Sequence, residues 1–331
     1  MKLWLMTYRH PIWLLPLLVA LGMSGAACGS SASNKSAPPR PSASVSASSA
    51  ARASQPFSAA IASSELVVGQ NRFTLGLLDN KNVPVPDARV HFRFFTLVGN
   101  QGTLRAEADA TFIAPNRDAG LATTIEHKHA DGTIHVHVNV DAAVGVYIAQ
   151  AQFTQAGKWA VEASFATTDG RTGKVNAPFD VLSQPITPAV GQPAPRTRNP
   201  TARDVSDLSL IDSAFMPNPA LHQESVADAI AAGRPALVAF VTPGYCESRM
   251  CGPEYEIVQK LLPSFGDKAA MIDIEVYKDP ANHVYADAVK EWGLQSEPYI
   301  FVINRSGIIT AKFEGPTSLA EMEEALRQVT S

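Results

Sequence analysis

Cysteine is scarce, with three in 331 residues, which excludes a disulfide-dense scaffold. Positive charge is not in excess either. Lys+Arg 27 against Asp+Glu 31 leaves a net charge of −4, and this excludes the basic footprint of general nucleic-acid binding. No phosphate-binding loop, Ser/His/Asp arrangement or zinc-type Cys-x2-Cys pair is evident. The length fits about two domains at roughly 100–200 residues each.

The first 28 residues read as an export signal. Lys2 and Arg9 precede an apolar stretch from Pro11 to Met23, and the small residues Ser24 to Ala27 lead into Cys28. The apolar stretch is short for roughly 30 Å of hydrocarbon, which favours a secretory signal over a stable membrane helix. Residues 1–28 resemble a bacterial lipoprotein signal, with Gly25 where that family usually carries Leu. The resemblance implies lipidation at Cys28 and an extracytoplasmic protein anchored to the cell membrane. The alternative is a plain signal peptide or an uncleaved anchor, giving a secreted or N-terminally membrane-anchored chain. Residues 29–60 hold 11 Ser, 9 Ala and 4 Pro and no acid, so they are expected to form a disordered tether.

Five prolines between Pro185 and Pro200 mark a linker over 184–202, the best domain boundary. Before it, over 61–183, short alternating segments such as Arg72–Leu78, Ala88–Phe94, Val146–Gln152 and Trp159–Phe165 are separated by turn residues. This predicts an all-β sandwich of seven or eight strands. Gly69–Asp79, Val83–Val90 and Gly145–Phe153 resemble YtkA-like or FixH-like extracytoplasmic Ig-like domains, which implies a binding or structural module.

After the linker, over 203–331, the pattern is α/β. Helices are predicted at Ser225–Ala232, Pro253–Leu262, Pro280–Trp292 and Leu319–Val329. Buried strands are predicted at Pro235–Val241 and Ala270–Val276, and a hairpin at Tyr299–Ile303 and Ile308–Phe313.

Cys246 follows the first of these strands and Cys251 comes five residues later, ahead of Pro253. Proline suits a first helical turn, so Cys251 is placed at the helix start and Cys246 in the loop before it. Five residues apart within a helix, two side chains point about 140° apart; across a loop they can meet. Helix-terminal N–H groups would favour a thiolate there.

The buried strand, Tyr245 before Cys246, Glu297-Pro298 ahead of the hairpin and the closing helix resemble thioredoxin-like proteins, and Val190–Pro195 resembles the lead-in of their extracytoplasmic reductases. The resemblance implies a thioredoxin-like domain, with Pro298 in the place of that family's cis-proline. It further implies thiol–disulfide exchange on extracytoplasmic proteins, with Cys246 attacking, Cys251 resolving, Pro298 positioning the partner chain and no cofactor required. Two features depart from that family: the spacing is Cys-x4-Cys rather than Cys-x2-Cys, and Phe240 stands where the family has its buried acid.

Other readings stay open. Cys246–Cys251 could be a fixed disulfide in a non-enzymatic module that binds metal or a partner protein, although so small a loop adds little stability. Copper delivery of the Sco type would need a histidine where Glu297-Pro298 stand, and His283 is predicted in the third helix. His127, His129, His135 and His137 form either a Cu or Zn site or a solvated strand pair. A two-residue turn at Asp131-Gly132 would set His129 opposite Ile134, whereas a three-residue loop would set His127 opposite His135. Glu254 and Glu256 are expected to be exposed first-turn acids, and Trp159, Phe240 and Trp292 to be core.

Overall fold

A computed structural model describes residues 57–99, 101–121, 124–128, 134–138, 144–246 and 250–331. The signal with Cys28 and most of the expected tether lie outside the described residues. Among the described residues, no helix is long and apolar enough to cross a membrane.

The N-terminal half carries β1 (Phe57–Ile61), β2 (Gly69–Asp79), β3 (Arg89–Val98), β4 (Gln101–Ile113), a single helical turn α1 (Pro115–Asp118), β5 (Thr124–Lys128), β6 (Ile134–Val138), β7 (Val146–Phe153), β8 (Gly157–Ala166) and β9 (Thr172–Val181). Seven of these strands form one antiparallel sheet in the order β1-β2-β7-β4-β3-β8-β9. Its two ends meet. Phe57 of β1 packs edge-on against Phe165 of β8 at 4.6 Å, and Val67 bridges Leu182. The alternation seen in the sequence has its cause here, because side chains of period two point one set into the enclosed core. Phe73, Phe92, Phe94, Phe153 and Trp159 are fully buried in that core. The first strand begins four residues before the boundary expected at 61.

β5 and β6 form a separate pair in which His127 faces His135, Ile125 faces His137 and Lys128 faces Ile134. The His127–His135 pairing is the one stated for the longer loop, and the loop itself lies outside the described residues. His129 lies outside the described residues.

The C-terminal half contains α2 (Val226–Ala231), β10 (Ala236–Val241), α3 (Cys251–Phe265), β11 (Ala270–Glu275), β12 (Tyr277–Asp279), β13 (Val284–Tyr285), α4 (Asp287–Glu291), β14 (Tyr299–Ile303), β15 (Ile309–Glu314) and α5 (Leu319–Thr330). A four-stranded mixed sheet runs β11-β10-β14-β15, with β10 and β11 parallel and the rest antiparallel. Every residue of β10 is buried, as a strand covered on both faces requires. Leu237, Ala239 and Val241 pack with α3 and α5. Val238 and Phe240 pack with α2, α4 and Trp292 on the other face.

Two expectations need correction. The predicted helix over Pro280–Trp292 is a 3-10 turn (Pro280–Asn282), the short strand β13, which pairs with the preceding β12, and the single turn α4. His283 stops the first turn with a left-handed φ of 52°, so it is not helical. The stretch 184–202 is not a free linker. Its prolines hold it extended, and it pairs along β15: Gly191 N–H donates to the Ile309 carbonyl at 2.8 Å and Ala194 N–H to the Gly307 carbonyl at 2.9 Å. Trp292 then anchors it, donating to Thr197 Oγ1 at 2.6 Å. Covering the sheet edge in this way removes an exposed pairing surface.

Polar contacts join the two halves. Arg72 of β2 donates to Glu321 of α5 at 2.8 Å and to the Pro316 carbonyl at 2.6 Å. Glu65 accepts Lys312 Nζ at 2.6 Å together with the N–H groups of Ile186 and Thr187.

Candidate active site

β10 delivers the chain to Thr242, and the loop after it carries Cys246, half-buried, before α3 begins at Cys251, which is fully buried. The expected placement of one cysteine in the loop and one at the helix start is therefore observed. The Cys251 backbone N–H donates to Cys246 Sγ at 3.2 Å. No disulfide joins the two sulfurs. An N–H aimed at a sulfur stabilises negative charge on it. The inner thiol is in the opposite condition. Burial pushes the Cys251 thiol far up, and the hydrogen-bonded Cys246 sulfur and the nearby Glu297 carboxylate add to this. The outer sulfur is thus the accessible one, and the inner one is held as a thiol.

Pro298 follows a cis peptide bond and is buried at the start of β14. Glu297 adds a carboxylate to the pair of sulfurs. Its carboxylate and the two sulfurs lie within 4.8 Å of one another. Two uses follow from that geometry. A carboxylate at this distance can accept a thiol proton, and two sulfurs with one carboxylate oxygen could hold a soft or borderline cation. Phe240 packs on Trp292 at 5.1 Å on the opposite face of β10.

Glu254 is not an exposed first-turn acid. One turn beyond Cys251 on the same face, it is fully buried and accepts the Thr317 N–H at 2.7 Å. Burial holds its carboxyl well above the ordinary range. Glu256 is half-buried. Beside the site, a cavity of about 340 Å³ lies between the halves. Ala60, Ile61 and Val146 form one wall, and Met250, Glu297 and Pro298 the other.

No protein-family model and no curated protein matches the chain. Solved structures that align with part of it include a DUF4426 family protein from Pseudomonas aeruginosa PAO1, at 11% identity, covering 35% of this chain and 77% of that one with a TM-score of 0.19. Murine CRIg aligns at 11% identity, covering 38% of this chain and 98% of its own, with a TM-score of 0.20.

Proposed function

We propose that the protein is an exported, lipid-anchored thiol–disulfide exchange protein, with a thioredoxin-like C-terminal domain behind an Ig-like β-domain. The observation that carries this reading is the Cys246–Cys251–Glu297 group: an accessible sulfur at a helix start, a buried thiol and a carboxylate near both. The mixed sheet with α3 and α5 on one face and α2 and α4 on the other supports it.

In the reductive direction, the Cys246 thiolate attacks a substrate disulfide, forming a mixed disulfide and releasing one substrate thiolate, which takes a proton from water. The Cys251 thiol then passes its proton to Glu297 and attacks Cys246 Sγ. That breaks the mixed disulfide and leaves Cys246–Cys251 oxidised, and the second substrate sulfur departs as a thiolate that takes the proton back from Glu297. Two electrons have passed to the substrate, and an exported dithiol reductant restores the pair. Pro298, on the cavity wall, borders the approaching chain.

Structural disulfides commonly have potentials below about −300 mV, whereas reactive ones lie higher. The expected potential of Cys246–Cys251 is above that line. A pair that stays oxidised in excess glutathione would instead be a fixed crosslink. Glu297→Gln is expected to slow the second step by about a hundredfold, the lower end of the usual range for loss of a positioned proton acceptor, while leaving mixed-disulfide formation unchanged. Single-turnover release of the two substrate thiols, followed separately, measures this.

The same three ligand atoms favour one second reading, a metal-handling module. Tight Cu(I) or Zn(II) binding that disappears with Cys246→Ser, in a pair without exchange activity, would select it. Anchoring is tested apart from either reading. Cys28→Ser is expected to release or misprocess the protein, read by membrane fractionation, because firm attachment takes more than one acyl chain.

A further inference from the structure

The described residues hold a second group of ionisable side chains, away from the thiol pair. Asp212 lies in the segment leading to α2, His222 follows the 3-10 turn Pro219–Leu221, and Asp273 is in the middle of β11. Their side chains are 0, 1 and 1% exposed. His222 Nε2 lies 3.0 Å from Asp212 Oδ2 and 3.7 Å from Asp273 Oδ2, and the three ligand atoms fall within 4.8 Å of one another.

Asp212 is held firmly. Tyr255 of α3 donates to its Oδ2 at 2.7 Å, and the Ala214 N–H donates to its Oδ1 at 2.8 Å. Asp273 is not. Neither of its oxygens has a hydrogen-bond partner. A buried carboxylate without donors is costly, and buried charges are ordinarily paired or bound to a metal. The His222 ring thus stands between one well-held carboxyl group and one whose oxygens have no donor, and no cationic side chain among the described residues completes the group.

We propose that Asp212, His222 and Asp273 bind a divalent cation of the zinc class. A tetrahedral ion with bonds of about 2.0–2.1 Å places its ligands roughly 3.3 Å apart, and the two His222 separations bracket that value. One imidazole with two carboxylates suits zinc among the common divalent ions. Asp273 also lines a cavity of about 500 Å³, which supplies an entry path. The bound ion ties the 212–222 segment to β11, and Tyr255 connects that anchor to the helix that begins at Cys251. The site does not depend on the thiol chemistry.

The test uses the full chain carrying Cys246→Ser and Cys251→Ser, so that sulfur ligands are absent. Zn(II) alone is the probe, with metal content after dialysis and the thermal midpoint as readouts. The expected result is one zinc retained per chain through this site and a Tm raised by roughly 5–10 °C at a hundredfold excess over Kd. Asp273→Asn, which keeps the shape and removes the charge, is expected to weaken binding at least tenfold and abolish the Tm shift while the chain remains folded by circular dichroism. His222→Gln is expected to do the same. Equal zinc affinity in Asp273→Asn, as a site in the histidine hairpin would give, overturns the proposal. So does an Asp273→Asn chain with a higher Tm and a parent that does not respond to zinc, since the group is then only an internal ion-pair network.

Discussion

Cys251→Ser is expected to accumulate a covalent adduct with exported proteins, cleaved by dithiothreitol and absent when Cys246 is also changed to Ser. The expectation follows from the unequal surroundings of the two sulfurs. Cys246 is half-buried and receives the Cys251 N–H, so it can meet a substrate disulfide. Cys251 is buried and held protonated, so its part begins only after the mixed disulfide has brought Cys246 Sγ into reach. Replacing it by Ser removes the second step and leaves the first. Cys246→Ser alone is expected to trap nothing, because the remaining thiol is neither accessible nor ionised. Non-reducing gels of the two variants make the comparison. Adducts through Cys251, or equal adducts from both variants, would show that the order of attack is wrong.

The pair itself was legible in the sequence because its signals are local. A buried strand, a loop and a proline-marked helix start occupy 236–253, and residues this close are placed by chain geometry alone. The same holds for β14, predicted with its observed bounds, and for α5, whose start at Leu319 was also predicted. Glu297 carries no local signal beyond the proline beside it. Its importance lies in a distance to sulfurs 46 and 51 residues earlier, which only the sheet topology sets. Asp212, His222 and Asp273 come from three separate segments and leave no motif. The stretch 184–202 misled in another way. Proline marks extended chain as readily as linker, and only the uncovered edge of β15 determines that it packs down.

Lys312→Met is expected to destabilise the protein by about 3 kcal/mol at neutral pH, the lower end for removing one partner of a buried pair. Glu65 precedes β2, and its side chain is 1% exposed; Lys312 lies on β15, and its Nζ also reaches Thr187 Oγ1 at 2.5 Å. Burial raises the Glu65 pKa, but the hydrogen bonds from Lys312, Thr187 and Ile186 outweigh it, and the carboxyl is held below its ordinary value of 4.5. The folded state therefore binds fewer protons at Glu65 than the unfolded chain. Its contribution is complete above pH about 4.5 and is lost as the pH falls through the folded value. Without Lys312, burial dominates and the folded value moves above 4.5. Protonation then relieves the buried charge, so the deficit of Lys312→Met should shrink as the pH drops below about 5. Glu65→Gln in the same chain should restore part of the loss at neutral pH, because the uncompensated charge is gone while the Ile186 and Thr187 N–H groups keep an oxygen to bond. Urea unfolding at pH 7 and pH 4 for the four chains of this cycle measures all three effects. A deficit under 1 kcal/mol that does not change with pH would mean that Glu65 is solvated and that the pair does not hold the two halves together.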